Sequence, residues 1–183
     1  MLWHERQGSG PDLVLVHGWG LHGGAWGDLP ARLAQHFRVT TLDLPGHGRS
    51  SFDRLRTGTF DDTQDGRTSG EPLSLDAFTD SVAGLCPAPA IWLGWSLGGL
   101  IALQAALRHP HKVAKLVLVG ATPKFVQAPD WPHAMPTDVF AGFARSLTQD
   151  YRATLLRFLS LQVGNNESVR AVLKQLRADL FAR

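Results

Sequence analysis

The stretch Ala90-Ile91-Trp92-Leu93-Gly94-Trp95-Ser96-Leu97-Gly98-Gly99-Leu100 decides the fold. Its first four residues form a short apolar run of the kind buried in a sheet. From Leu97 to Leu107 the chain is strongly apolar and reads as a helix, stopping near His109 and before Pro110. Between the two stands Gly94-Trp95-Ser96-Leu97-Gly98. The Gly-x-Ser-x-Gly pattern is weak alone, but a strand before it and a helix after it are its required setting. The turn is sharp. Side chains at 94 and 98 would strike the neighbouring strand or helix, and glycine leaves room. Such a turn lifts the Ser96 hydroxyl out at the carboxyl end of a sheet, and the helix N-terminus favours a developing oxyanion there. Ser96 is the candidate nucleophile. The competing reading is an ordinary serine N-cap after a strand.

Working outward, three more apolar runs read as buried strands: Leu13–Val16, Val39–Leu42 and Leu116–Val119. Continuous apolarity, without alternation, suits a parallel sheet covered on both faces. Helical patterns lie between them, at Trp26–Phe37 and at Leu75–Leu85 behind a Ser74 N-cap. Strand–helix alternation predicts a doubly wound, mostly parallel α/β sheet. Ser51–Pro72 breaks the pattern with only Phe52, Leu55 and Phe60 as apolar residues, and reads as an inserted surface loop. After Pro136 the pattern is helical, over Asp138–Leu147, Asp150–Gln162 and Glu167–Phe181. The expected organisation is a core over 1–122, with 51–72 inserted, and a helical cap over 123–183.

Composition narrows the function. The 183 residues are 44% hydrophobic and 19% charged, which suits a packed core and excludes wholesale disorder. No apolar run approaches membrane-spanning length, and Glu5 and Arg6 interrupt any leader pattern. A net charge of +2 is too small to argue for nucleic acid. Cys86 is the single cysteine, so neither an internal disulfide nor a cysteine metal cluster is expected, and a cytoplasmic location follows as the default. No metal or cofactor is expected. The sequence does not give the oligomeric state.

Two loops frame Ser96. His17-Gly18-Trp19-Gly20 directly follows the first strand, and its glycines let backbone approach the nucleophile. One amide from this loop, assigned to Trp19, joins the amide of Leu97 as an oxyanion hole. His17 precedes the serine and sits in the turn, so it reads as a brace for the loop and not as a base. Asp43-Leu44-Pro45-Gly46-His47-Gly48-Arg49-Ser50 matches neither phosphate-loop pattern and reads as a tight structural turn.

In this order and spacing, the three motifs resemble the α/β-hydrolase superfamily. The closer resemblance is to the pimeloyl-[acyl-carrier protein] methyl ester esterases of biotin synthesis. Its carriers are His17-Gly18-Trp19-Gly20-Leu21, Asp43-Leu44-Pro45-Gly46 and Ile91 to Leu100, followed by Trp131-Pro132, Ala141-Gly142-Phe143 and Arg157-Phe158-Leu159-Ser160-Leu161-Gln162. The resemblance implies a serine carboxylesterase with a helical cap, cleaving the methyl ester of pimeloyl-acyl-carrier protein to free acid and methanol. It places Ser96 as nucleophile, Trp19 and Leu97 at the oxyanion, and Phe158, Leu159, Ser160, Leu161 and Gln162 along the acyl channel. Acyl carrier proteins are acidic. Residues 145–183 hold seven Arg or Lys against three acids. The resemblance therefore implies carrier contacts at Arg152, Arg157 and Arg170. A solvated basic face is the plainer reading.

The acid and the histidine of such a triad follow the serine in the chain. His109 and His111 flank Pro110 at the far end of the helix, and His133 lies in a Trp-Pro turn beside Asp130. None is expected to act as the base. The expectation is a C-terminally truncated esterase with little activity alone, and with Leu116–Val119 left as an apolar sheet edge. Two other readings stand beside it: a general short-chain carboxylesterase of the same fold, and a remnant that binds acyl carrier protein without turnover. Dehalogenases and epoxide hydrolases of this fold carry Asp where Ser96 stands, which argues against them.

Overall fold

A computed structural model describes residues 2–50, 74–87 and 89–161. The expected insertion at 51–72, the helix Glu167–Phe181, Gln162 and Arg170 lie outside these residues. The chain divides into two compact units, Met1–Ala121 and Thr122–Arg183.

The first unit holds a five-stranded sheet. Its strands are β1 (His4–Gln7), β2 (Asp12–Val16), β3 (Arg38–Leu42), β4 (Ala90–Trp95) and β5 (Val113–Val119). Their order in space is β1-β3-β2-β4-β5. β1 runs antiparallel to β3, and every other pairing is parallel. The mostly parallel α/β sheet is as expected, with one strand more than the apolar runs announced. β1 reads His-Glu-Arg-Gln and has no apolar run to betray it. It is an edge strand, where polar side chains suit solvent and discourage foreign pairing. β5 begins at Val113, three residues earlier than its apolar run, and pairs with β4 through Val119. Val117, Leu118 and Val119 stay exposed.

The helices are α1 (Leu29–Leu33), α2 (Leu75–Leu85) and α3 (Leu97–Arg108). Trp26–Phe37 is not one helix, which corrects the sequence reading. A 3-10 turn over Gly23–Trp26 closes at Gly27, whose φ of 57° no helix continues, and Pro30 is confined to the first turn of α1. Ser74 caps α2 as predicted, its Oγ accepting the Ala77 N–H at 3.1 Å. At the other end of α2, Arg6 donates to the Leu85 carbonyl at 3.1 Å and Lys112 to the Ala83 carbonyl at 2.6 Å. Cations there satisfy orphan carbonyls and suit the negative end of the helix. Arg108 bridges Asp76 and Asp80 at 2.9 and 2.8 Å, tying α3 to α2.

Each sheet face has its own core. Val14, Val16, Leu42, Leu44 and Trp92 pack with Val82 and Ala83 of α2, Cys86 just after it, and Ile101, Ala102 and Ala105 of α3. Leu13, Leu15 and Val39 pack on the other face with Trp26, Leu33 and Phe37. Burial pushes the Cys86 thiol up to about 12, so it stays protonated and inert.

The second unit carries α4 (Thr137–Gln149) and α5 (Tyr151–Leu161). Asp150 breaks the helix between them and caps α5, its Oδ1 accepting the Ala153 N–H at 2.9 Å. Phe143 and Phe158 meet across the pair with ring centroids 5.7 Å apart. Leu155 and Leu159 are buried. No helix among the described residues is long and apolar enough to cross a membrane.

Trp92 is the largest fully buried side chain of the first core. Trp92→Ala is expected to lower the unfolding free energy by about 3–5 kcal/mol, read from urea titration. A loss below about 1 kcal/mol would contradict the assignment of Trp92 to a close-packed core.

Candidate functional site

The strand-to-helix turn at Ser96 is built by its glycines. Ser96 has φ 54° and ψ −116°, the one non-glycine with positive φ among the described residues. That backbone costs about 1–3 kcal/mol and persists only where the surroundings enforce it. A Cβ on Gly94 would overlap the Gly98 carbonyl, and one on Gly98 would overlap the carbonyls of Val16 and His17. Strand β4, the start of α3 and the end of β2 therefore meet at closest backbone approach. Ser96 is half-buried. Its carbonyl accepts the Gly99 N–H at 2.9 Å and the Leu100 N–H at 3.2 Å, closing the first turn of α3. Leu97 opens the helix, where leading N–H groups have no intrahelical acceptor.

The loop after β2 lies against this turn. A Cβ on Gly18 would stand 3.3 Å from Ser96 Cβ and 3.4 Å from the Trp95 carbonyl oxygen. His17 is fully buried and braces the loop, as the sequence reading held. Its Nε2 accepts the Leu44 N–H at 2.9 Å, and its Nδ1 lies 2.8 Å from the Gly18 carbonyl. Because Nε2 accepts, Nδ1 carries the proton and donates. Burial pushes the His17 pKa down to about 3, so the ring is neutral. The Gly18 carbonyl also accepts the Leu21 N–H at 3.3 Å. With that carbonyl turned toward His17, the planar peptide aims the Trp19 N–H the opposite way. The brace thus fixes the direction of the amide assigned to the oxyanion. Trp19 itself is half-buried.

Asp43 is the residue that sequence reading passed over. The segment reads as a tight turn, and turns do close at His47 and Ser50. Their anchor is the buried Asp43 carboxylate. It accepts the Gly23 N–H at 2.6 Å and the Arg49 N–H at 2.8 Å, joining this turn to the loop after β2. Ser50 donates to the Asp43 carbonyl at 2.7 Å and accepts the Trp3 N–H at 2.8 Å. A lone acid directly after an apolar strand was the available signal, because a buried carboxylate needs donors.

The other predicted residues fall as follows. His109 Nε2 donates to Asp80 Oδ1, 2.7 Å away, at the C-terminal end of α3. That end is about 18 Å along the helix from Ser96. His17 and His109 are both committed elsewhere, and neither serves Ser96 as a base. His133 belongs to the second unit, edge-on to Trp131 with ring centroids 6.4 Å apart. Arg152 and Arg157 are exposed on α5. The run 158–161 does not share one face of that helix. Phe158 is half-buried, Leu159 is buried, and Ser160 and Leu161 are exposed. Successive residues on a helix point about 100° apart, so these four face different directions. No cluster of metal-ligating side chains occurs among the described residues.

The His17 brace carries a pH signature. Its folded pKa is about 3 against an ordinary 6.5, so unfolded chain takes the proton first as pH falls. Its contribution is full above 6.5 and is lost progressively down to about 3. His17→Gln is expected to destabilise by about 1–3 kcal/mol at neutral pH, by stranding buried backbone groups. That difference should shrink on acidification by up to about 1.4 kcal/mol per pH unit, read from denaturant titrations of both proteins. A difference independent of pH would contradict a neutral, buried His17.

Residues 11–164 match the family model for the alpha/beta hydrolase fold. The chain is 45% identical over 176 residues to a pimeloyl-[acyl-carrier protein] methyl ester esterase of Xanthomonas campestris pv. campestris (strain B100), covering 96% of this chain and 62% of that protein. It is 45% identical over 179 residues to the protein of the same name from Stenotrophomonas maltophilia (strain R551-3), covering 98% and 62%. The chain thus spans less than two thirds of the length of these relatives. Among solved structures, an esterase from Exiguobacterium antarcticum superposes with a TM-score of 0.77 at 22% identity, over 99% of this chain and 64% of that one. A bromoperoxidase from Bacillus anthracis gives 0.78 at 22% identity, over 99% and 64%. At that identity the structures speak for the fold alone. With a family match over residues 11–164 and relatives 45% identical over nearly the whole chain, carried on a mostly parallel five-stranded sheet with a strained serine between β4 and α3, the chain belongs to the α/β-hydrolase family.

Proposed function

We propose that this chain carries the nucleophile and oxyanion donors of a carboxylesterase, and that its substrate is the methyl ester of pimeloyl-acyl-carrier protein. The observation that carries the reading is Ser96 at φ 54° on the turn between β4 and α3, with the loop after β2 packed on it. The hydroxyl attacks the ester carbonyl. The Trp19 and Leu97 N–H groups receive the charge that develops on the carbonyl oxygen, which is where fixed dipoles lower the barrier most. Methanol leaves, and water releases the acid from the acyl-serine. The ester is taken from the relatives, whose names specify it.

The second unit supports a carrier-borne substrate. Arg145, Arg152 and Arg157 are exposed on α4 and α5, and an acidic carrier gains rate and orientation from such a face. Phe158 and Leu159 are the residues of the predicted acyl channel that the described helix withdraws from solvent. Gln162 and Arg170 complete the proposed acyl and carrier contacts.

The experiment is methanol release from pimeloyl-acyl-carrier protein methyl ester. With the acid and the histidine of the triad supplied, it should depend on Ser96, Ser96→Ala losing several orders of magnitude and keeping only what the oxyanion donors and binding supply. Release undiminished by Ser96→Ala would overturn the assignment. A small ester such as p-nitrophenyl acetate separates the carrier from the chemistry. Arg152→Glu with Arg157→Glu is expected to raise KM for the carrier-borne ester about tenfold at low salt, and to leave the small ester unchanged. Equal loss on both substrates would contradict a carrier-binding role. Salt-sensitive carrier binding with no methanol released would assign the chain to binding without turnover.

A further inference from the structure

The chain leaving β5 sets three consecutive residues against the Ser96 turn. The Val119 carbonyl accepts the Ser96 N–H at 2.9 Å. The Trp95 indole lies 3.8 Å from where a Cβ on Gly120 would stand, and Gly120 takes φ 54°. The Ala121 methyl fills the space that a Cβ on Gly99 would need. Residues 119, 120 and 121 thus engage residues 96, 95 and 99 in turn. Nothing in the Gly-x-Ser-x-Gly pattern announces this, since the two segments lie some two dozen residues apart in sequence.

We propose that Val119-Gly120-Ala121 is a positioning device for the nucleophile, and that Ala121 sets its gauge through Gly99. The inference rests on reading Ser96 as the nucleophile. Gly94 and Gly98 let the strand and the helix come close, but closeness does not fix the rotation of the turn between them. The Val119 bond fixes the peptide plane entering Ser96. The Ala121 methyl seats the first turn of α3, where the Gly99 N–H returns to the Ser96 carbonyl at 2.9 Å. Ser96 is held from both sides, as a strained backbone requires. The Leu97 N–H takes its direction from the same first turn. A side chain larger than methyl at 121, or any side chain at 99, would shift α3 against β4, and shifts of about 1 Å at a reacting group cost up to about a hundredfold in rate.

The contact between two small residues gives a compensating pair. Gly99→Ala places two methyls in one space. In Gly99→Ala/Ala121→Gly the nearest remaining atoms to the added methyl are the Gly94 carbonyl oxygen at 3.2 Å and its carbon at 3.6 Å. Two readouts apply. One is hydrogen exchange at the Ser96 amide, relative to the amides of Val14 and Trp92 in the core. The other is acylation by a fluorophosphonate, resolved into its saturating rate and its half-saturation. Gly99→Ala is expected to speed relative exchange at Ser96 and to cut the saturating rate by about tenfold or more, with half-saturation unchanged. The double variant should recover most of both. Ala121→Gly adds no bulk and serves if Gly99→Ala does not fold. It is expected to speed relative exchange at Ser96 and to lower the saturating rate by a few-fold. Unchanged exchange in Ala121→Gly would overturn the proposal, as would a folded double variant no better than Gly99→Ala. If the parent is never acylated, the esterase reading fails while the exchange readout still decides the gauge.

Discussion

One backbone conformation organises this molecule. Ser96 stands at φ 54° and ψ −116°, between a strand and a helix that touch through two residues without side chains. That geometry is unfavourable for an L-residue by about 1–3 kcal/mol. It is met by everything packed around it: the carbonyls at the end of β2 against Gly98, the Gly98 carbonyl against Gly94, and the Val119 carbonyl on the Ser96 N–H. The chemistry follows from the same constraint. A relaxed serine N-cap would turn its hydroxyl onto the helix N–H groups, and Ser96 makes no such capping bond. Its hydroxyl stays at the carboxyl end of the sheet, with the positive end of α3 beneath it.

The loop that faces Ser96 is held by buried polar groups, which is costly unless each is satisfied. His17 and Asp43 share this work. His17 spans from the Gly18 carbonyl to the Leu44 N–H, and Asp43 spans from Gly23 to Arg49. Between them they cross-link the two loops that follow adjacent strands β2 and β3. The rigidity of the Trp19 amide thus depends on a neutral imidazole and a buried carboxylate, neither of which touches the reacting atoms. This is why a histidine in the loop packed on the Ser96 turn is no candidate for a base there.

Much of this was legible in the sequence, for physical reasons. β2 is buried on both faces and appears as an unbroken apolar run, β4 as an apolar run with one face buried and the other half-buried, and β3 carries buried Thr40 and Thr41 between Val39 and Leu42. Ser74 announces α2, and the strand–glycine–serine–glycine–helix order announces Ser96. The errors are equally physical. β1 is a polar edge strand, invisible to any search for apolar runs. Trp26–Phe37 has apolar residues at helical spacing, yet Gly27 and Pro30 divide it, and local backbone rules outweighed the pattern. The bond of Asp43 to Gly23 and the contact of Ala121 with Gly99 were not legible at all, because they join segments some twenty residues apart in the chain. Sequence spacing gives a residue's neighbours along an element, not across the fold.

The central claim is that Ser96 is a poised nucleophile and not a strained structural residue. It is tested most directly by treating the folded chain with a fluorophosphonate and mapping the adduct by peptide mass spectrometry. A single adduct on the peptide containing Ser96, absent in Ser96→Ala and in heat-unfolded chain, is the predicted result. No adduct on folded chain, or an adduct that persists in Ser96→Ala, would contradict it.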